Sequence, residues 1–377
     1  LTVMSATMFH IVVPTISLDF GLSYGQVSWV STLYMLTYAI GSVIYGKLTG
    51  ICKIKNLLTF GLFCFAFGSM VGLAAQAFWM VLLGRFLQAV GASVVPAMAM
   101  IVPVRYFPPE KRGGALGIVS TGLYLGAALG PVVSALFVNA VHWRWLFCWP
   151  FLTLLTLPFY RKYLHDEPNG GRVDWLGGGL LALAAALFLL AVTNGTWELS
   201  AGGFLSLVLF ILRIRFAEEP FLPPRLFQNK RYALGLALSF FAYGIGYSFP
   251  FLSPILLFNV YHLEPGMVGF ALVPAFVVSA ILGRTGGKLA DAKGNSFLFY
   301  IASVLLFFCF VLLSSFAGIL LSFIIVFLTF GNVGQSFMLV ALSNTISRTL
   351  PKDQTGVGMG MLSMFHFIAG TVFAGVY

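Results

Sequence analysis

The sequence predicts an all-α, polytopic membrane protein. Three observations carry that prediction. Hydrophobic residues make up 59% of the 377 residues and charged residues only 8%, against roughly 25% charged in a soluble domain. The apolar residues are gathered into long unbroken runs of the length a spanning helix needs, about 20 residues. They do not alternate as barrel strands do. Finally, part of the chain repeats itself, which points to two halves of like orientation.

Thirteen apolar segments can be marked in order, at 1–16, 27–47, 56–75, 78–103, 114–140, 145–162, 174–194, 201–216, 233–260, 266–287, 297–315, 318–346 and 356–377. The first is short, and both chain ends fall inside apolar runs. The sequence therefore reads as a fragment, about thirteen helices of fourteen. No charged leader precedes the first run, so no signal peptide is read.

Alternate loops collect the basic residues. All but two of the 21 Lys and Arg follow even-numbered segments. The exceptions are Arg144, in the opposite loops, and Arg85, inside the fourth segment. Cytoplasmic loops of membrane proteins are enriched in this way. The net charge of +10 is thus topology rather than nucleic-acid binding, and the expected N-terminus is cytoplasmic.

The repeat is specific. Gly46-Lys47-Leu48 returns as Gly287-Lys288-Leu289, and Leu22, Gly25 and Val27 return at the same interval as Leu263, Gly266 and Val268. Arg105 with Pro108, Gly113 and Gly117 returns as Arg348 with Pro351, Gly356 and Gly360. Both copies point the same way, with segments seven and eight between them. The expected organisation is a six-helix half (1–162), an inserted pair with its linkers (163–232) and a second half with five helices present (233–377).

These residues resemble the major facilitator superfamily, and within it the fourteen-helix drug:proton antiporters, closest to the tetracycline-efflux branch of Gram-positive bacteria. The resemblance rests on the loop Gly46-Lys47-Leu48-Thr49-Gly50-Ile51-Cys52-Lys53 and on Arg85-Phe86-Leu87-Gln88-Ala89-Val90-Gly91-Ala92. Further matches are Gly117, Gly126 and Gly130-Pro131 in the fifth segment, Trp143-Arg144-Trp145-Leu146-Phe147, Asp174-Trp175 and Pro220-Phe221. It implies two six-helix halves with an inserted pair in the bacterial cytoplasmic membrane. It also implies alternating access, a small organic substrate such as a drug, multidrug or tetracycline resistance, and protons as coupling ion. Gly46, Lys47, Gly126, Gly130, Pro131, Gly287, Lys288 and Asp291 take the conformational motifs. The family's loop Asp falls here on Gly50. Its acidic positions in helices one, five and thirteen fall on Ala6, Ala127 and Gly370.

All eleven acids sit in loops or at their edges, so no carboxylate lies within a span. Proton coupling then falls to His10, His366 or Asp291, since histidine changes charge near neutral pH unaided. A packing role is the other reading of both histidines. Arg85 is the one intramembrane charge. It either faces a cavity or snorkels outward; Gln88 lies on its face. With His10, Tyr34, Tyr38, Tyr243, Asn332 and Gln335 these form the candidate substrate-binding set. The alternative for the aromatic and amide stripes is interhelix hydrogen bonding. Asp291 is expected to meet the positive N-terminus of the following helix. The Gly122, Gly126, Gly130, Ser134 stripe allows close helix approach.

A membrane enzyme would need intramembrane acids or a Cys/His cluster. The four cysteines (Cys52, Cys64, Cys148 and Cys309) show no metal spacing. The sequence is read as a monomeric exporter without cofactor or metal. Its rivals are an uncoupled or anion-handling carrier of the same fold and a transport-dead sensor or assembly partner.

Overall fold

The computed structural model describes residues 1–140, 142–164, 174–194, 196–217, 219–263, 265–316, 318, 320–351 and 354–374. The side chain of His10 lies outside the described residues, as do Arg172, Glu218, Glu264, Lys352 and Asp353.

Each apolar segment contains a helix among the described residues. We number them α1 (Thr2–Ile11 and Val13–Phe20), α2 (Trp29–Leu48), α3 (Ile54–Leu73), α4 (Phe78–Tyr106) and α5 (Arg112–Ala140). Next are α6 (Trp143–Thr156 continuing as Leu157–Tyr163), α7 (Trp175–Asn194) and α8 (Trp197–Phe216). The second half has α9 (Lys230–Asn259), α10 (Pro265–Lys293), α11 (Asn295–Ser315), α12 (Leu321–Ser347) and α13 (Thr355–Ala374). Among the described residues, nine helices are long and apolar enough to cross a membrane, and the bent α1 makes a tenth. The helices α7 and α13 supply the shorter apolar stretches Trp175–Phe188 and Thr355–Gly370.

Proline marks the irregularities. The two parts of α1 meet at 58°, with Pro14 opening the second, because proline supplies no N–H and clashes with the preceding turn. The first part of α6 is wound as a 3-10 helix with Pro150 inside it. Polar caps fix two starts. Asn229 Oδ1 accepts from the N–H groups of Arg231 and Tyr232 at 3.2 and 3.3 Å, capping α9. The Asp174 carboxylate accepts from Gly177 N–H at 3.1 Å and from Arg213 Nε at 3.2 Å, so it caps α7 and ties it to α8. On the opposite face Asp19 accepts from Trp143 Nε1 at 2.7 Å and pairs with Arg144 at 3.4 Å.

Packing repeats as the sequence does. The pairs α3–α4, α2–α4 and α1–α5 correspond to α11–α12, α10–α12 and α9–α13. Two seams join the repeats, α5 against α10 and α2 against α13. Glycines make both close. A Cβ on Gly117 would meet Gly283 O at 2.6 Å, and one on Gly46 would meet Gly356 O at 2.7 Å. Without side chains the backbones touch. The stripe on α5 packs on α1. Gly126 lies against Val3, Gly130 against Thr7, and Ser134 Oγ donates to Met8 O at 2.9 Å. Gly122 faces open space instead. Near Pro131 a Cβ on Gly269 would lie 3.2 Å from the proline ring, so the α5–α10 seam runs most of the depth. The inserted pair sits beside the other seam, where Gly178 and Leu181, with Phe221 of the following linker, line a small cavity together with Ile40, Val43 and Met364.

We call the end bearing the Lys and Arg loops the basic face. Cysteines introduced at Lys53, Arg112, Lys230 and Lys293 are expected to label only from the cytoplasm. Those at Phe20, Trp197 and Leu263 should label only from outside. Mixed labelling within either set would overturn the orientation.

Candidate functional site

Two constellations stand out, one in the part of the bundle away from the basic face and one at the basic face. The first is built around Arg85. Gly84 and Gly91 of α4 pack on the α3 backbone at Gly68, Gly72 and Gly61. That close approach brings Gln88 Nε2 to within 2.8 Å of Ser69 Oγ, and Gln88 Oε1 in turn accepts from Arg85 Nη1 at 3.0 Å. Arg85 Nε donates to Val30 O at 3.2 Å, and Nη1 reaches Ser5 O and Oγ at 3.4 Å. The guanidinium lies between two rings, 4.1 Å from the centroid of Phe9 and 3.9 Å from that of Tyr34. Such contacts are worth about 2 kcal/mol when desolvated.

Arg85 is fully buried. The outward-snorkelling alternative is therefore corrected, because α1, α2 and α4 enclose the side chain on its way out. Among the described residues no carboxylate pairs with it, and Nη2 has no hydrogen-bond partner. Tyr34 donates to Thr2 O at 3.2 Å and stacks on Tyr38 at 5.7 Å. Tyr38 meets the edge of Phe367, on α13, at 4.9 Å.

The second half adds an uncharged set. Tyr243 stacks on His366 with centroids 3.3 Å apart and planes at 12°, and its hydroxyl lies beside Ser343. The Gln335 side chain lies on Gly246. Among the described residues, Gln335 Oε1, Ser239 Oγ and His366 Nε2 are buried without partners. Asn332 is apart from them in chemistry, since its amide turns back to Leu328 O at 2.9 Å on its own helix.

The structure thus joins Arg85, Gln88, Tyr34 and Tyr38, and separately Tyr243 and His366. Sequence reasoning missed Ser5, Phe9, Ser69 and Phe367. Ser5 and Phe9 lie one turn apart and could have been sought as partners for an acid-free arginine. Nothing in the sequence signals Ser69 or Phe367.

At the basic face Asp291 is placed differently from expectation. Its carboxylate accepts from Gly113 N–H at 2.8 Å and Gly114 N–H at 2.6 Å. It therefore caps α5, across the seam, and not α11, whose start has no side-chain cap. The reason is geometric. Asp291 lies in the last turns of α10, on the side that packs against α5, and a Cβ on Gly113 would crowd its carboxylate. Arg348 Nη2 donates to Pro109 O at 2.9 Å beside it.

The other seam has no acid at the corresponding Gly50. Arg105 Nη2 donates there to Thr49 O at 3.0 Å, and Lys47 Nζ donates to Pro220 O at 3.1 Å. Its counterpart Lys288 is exposed.

The family model described as Major Facilitator Superfamily matches residues 1–374. The chain is similar to Multidrug resistance protein 3 of Bacillus subtilis, 27% identical over 328 residues, covering 83% of this chain and 62% of that protein. It is likewise similar to the riboflavin transporter RibZ of Clostridioides difficile, 27% identical over 310 residues, covering 78% of this chain and 66% of that protein. The chain thus spans under two thirds of the length of these relatives. Its fold matches that of the human organic anion transporter MFSD10 with a TM-score of 0.69 at 14% identity, covering 100% of this chain and 91% of that one.

Proposed function

The chain belongs to the Major Facilitator Superfamily, and from that premise we propose that it is a secondary transporter, not an enzyme, exporting a small organic solute by alternating access. The halves 1–162 and 233–377 rock about a site at mid-depth, and the pair within 163–232 rides with them. The observation that carries this is the pair of corresponding seams, α5–α10 and α2–α13, closed at the basic face by glycine-on-glycine contacts. Such an interface has two discrete packings rather than a continuum. The basic face is cytoplasmic in this reading, so the structure is shut toward the cytoplasm. Drug efflux follows from the similarity to a multidrug resistance protein, and a riboflavin transporter among the relatives widens the class to organic solutes. The tetracycline-efflux assignment rests on the sequence motifs. The chain works as a monomer without metal or cofactor.

Liposomes carrying the full-length protein test this, with and without an imposed pH gradient. Solute flux that grows with the gradient supports proton-coupled export. The coupling then falls in His10→Ala or His366→Ala, because no carboxylate lies within a span. If both variants keep full coupling, Asp291 or a residue outside this sequence carries it. Absence of flux for every solute tried would overturn the transporter reading.

A second reading is favoured by one observation. Arg85 is buried without an acid and has a free Nη2 among the described residues. A carrier of anions, coupled or not, would use it directly.

A further inference from the structure

The segment that leads from the inserted pair into the second half touches both sides of the α2–α13 seam. It begins Glu219-Pro220-Phe221-Leu222-Pro223-Pro224, with three prolines in six residues. Proline fixes φ and stiffens a linker into a spacer. Phe221, Leu222 and Leu226 are buried, so the segment is packed into the bundle. Gly178 of α7 makes room for it, since a Cβ there would lie 2.9 Å from the Phe221 ring. On the first-half side, Lys47 in the last turn of α2 donates from Nζ to Pro220 O at 3.1 Å. Glu219 and Asp174 attract the same ammonium. Lys47 directly follows Gly46, whose backbone meets α13 at Gly356, so the bond to Pro220 sits at the seam itself. On the second-half side, Asn229 Nδ2 donates to Thr349 O at 2.8 Å, between α12 and α13, while its Oδ1 caps α9. One turn on, the Tyr232 hydroxyl donates to Gly358 O of α13 at 2.8 Å.

We propose that residues 219–229 form a strap across the α2–α13 seam at the basic face, fastened to the first half by Lys47 and anchored in the second half by Asn229, and that the seam opens by breaking the Lys47–Pro220 bond. The proposal rests on the alternating-access reading above and gives the linker after the inserted pair a part in it. The end that lets go follows from the fastenings. At Asn229 the strap runs straight into α9, and one side chain serves both Thr349 and the start of that helix. That end stays with the second half. At Pro220 a hydrogen bond from a half-buried lysine reaches the first half. A lysine suits a bond that must be remade, because its ammonium is strongly hydrated and rides on a flexible stem. Water takes over the donor when the seam opens, so no buried group is left unpaired. The prolines matter because a slack linker would follow the opening without breaking anything. The repeat shows where such a strap is needed. Asp291 crosses the α5–α10 seam, whereas the family's loop acid falls on Gly50 beside α2–α13.

Spin-label distances in the full-length protein in nanodiscs test it. Labels pair Arg225 on the strap with Lys53 of the first half and with Gln354 of the second, and the pair Lys53 with Gln354 reads the seam. Asp291→Ala provides the opened state. As the seam opens, the Arg225–Lys53 distance should lengthen together with Lys53–Gln354, while Arg225–Gln354 holds. Lys47→Met keeps the apolar stem and removes the donor. It should raise the open fraction about fivefold, and Lys47→Arg, which can still donate to a carbonyl, should stay near wild type. Where Lys47→Met fails to fold, Pro223→Gly with Pro224→Gly slackens the strap and should raise the open fraction with Lys47 in place. An Arg225 label that stays with Lys53 and parts from Gln354 would overturn the strap. So would an open fraction that neither Lys47→Met nor the glycine pair moves, and a two-state seam in that case leaves alternating access standing. A single seam distance in every variant, Asp291→Ala included, removes both readings. Strap behaviour without flux of any solute in liposomes removes the export reading alone.

Discussion

In Asp291→Ala the basic face opens. The substitution removes both oxygens that hold Gly113 N–H and Gly114 N–H at 2.8 and 2.6 Å across the α5–α10 seam. Hydrogen bonds to an ionised group contribute about 1.5–3 kcal/mol each when buried. Asp291 is half-buried, so the pair together is discounted to about 2 kcal/mol, roughly a 30-fold shift between the two states. The direction is set because the contact exists only while the seam is shut. Asp291→Asn keeps one accepting oxygen but no charge, and its shift should fall between. Spin labels at Lys111 and Ala292 across this seam, and at Lys53 and Gln354 across the other, measure the change. Unaltered distance distributions in Asp291→Ala would show that the carboxylate only caps α5.

Replacement of Arg85 has the other large effect, and it separates two roles. Arg85→Ala strips Gln88 Oε1 and Val30 O of their donor and leaves a gap between the rings of Phe9 and Tyr34. The combined loss is about 3 kcal/mol, enough to lower expression. Arg85→Lys keeps the charge, but an ammonium cannot lie flat between two rings and reach both acceptors. Binding of an anion should therefore fall in the order wild type, Arg85→Lys, Arg85→Ala, when read on correctly folded protein. If Arg85→Ala expresses normally and still exports a lipophilic cation at the wild-type rate, the anion reading is wrong.

The architecture was legible in the sequence because spanning a bilayer leaves few options. The apolar runs became helices, as with 27–47 against Trp29–Leu48 and 56–75 against Ile54–Leu73. The bend of α1 and the 3-10 winding of α6 were less legible, since Pro14 and Pro150 permit several outcomes. The site was legible in part. Arg85 announces itself as a lone charge among apolar residues, and Gln88 follows from helical spacing. Their partners did not follow, because Phe9, Ser69 and Phe367 come from other helices and carry no local pattern. Asp291 failed in the same way. Reading along the chain assigned it to α11, while folding turned it across the seam to α5.

The carboxylate that crosses the α5–α10 seam has a mechanical consequence. Asp291 accepts from Gly113 N–H at 2.8 Å and from Gly114 N–H at 2.6 Å, and both amides belong to the first turn of α5. Under the proposed alternating access the pair behaves as a latch with a single pin. Both bonds hang on one carboxylate, so α5 and α10 cannot part at the basic face by loosening one bond at a time.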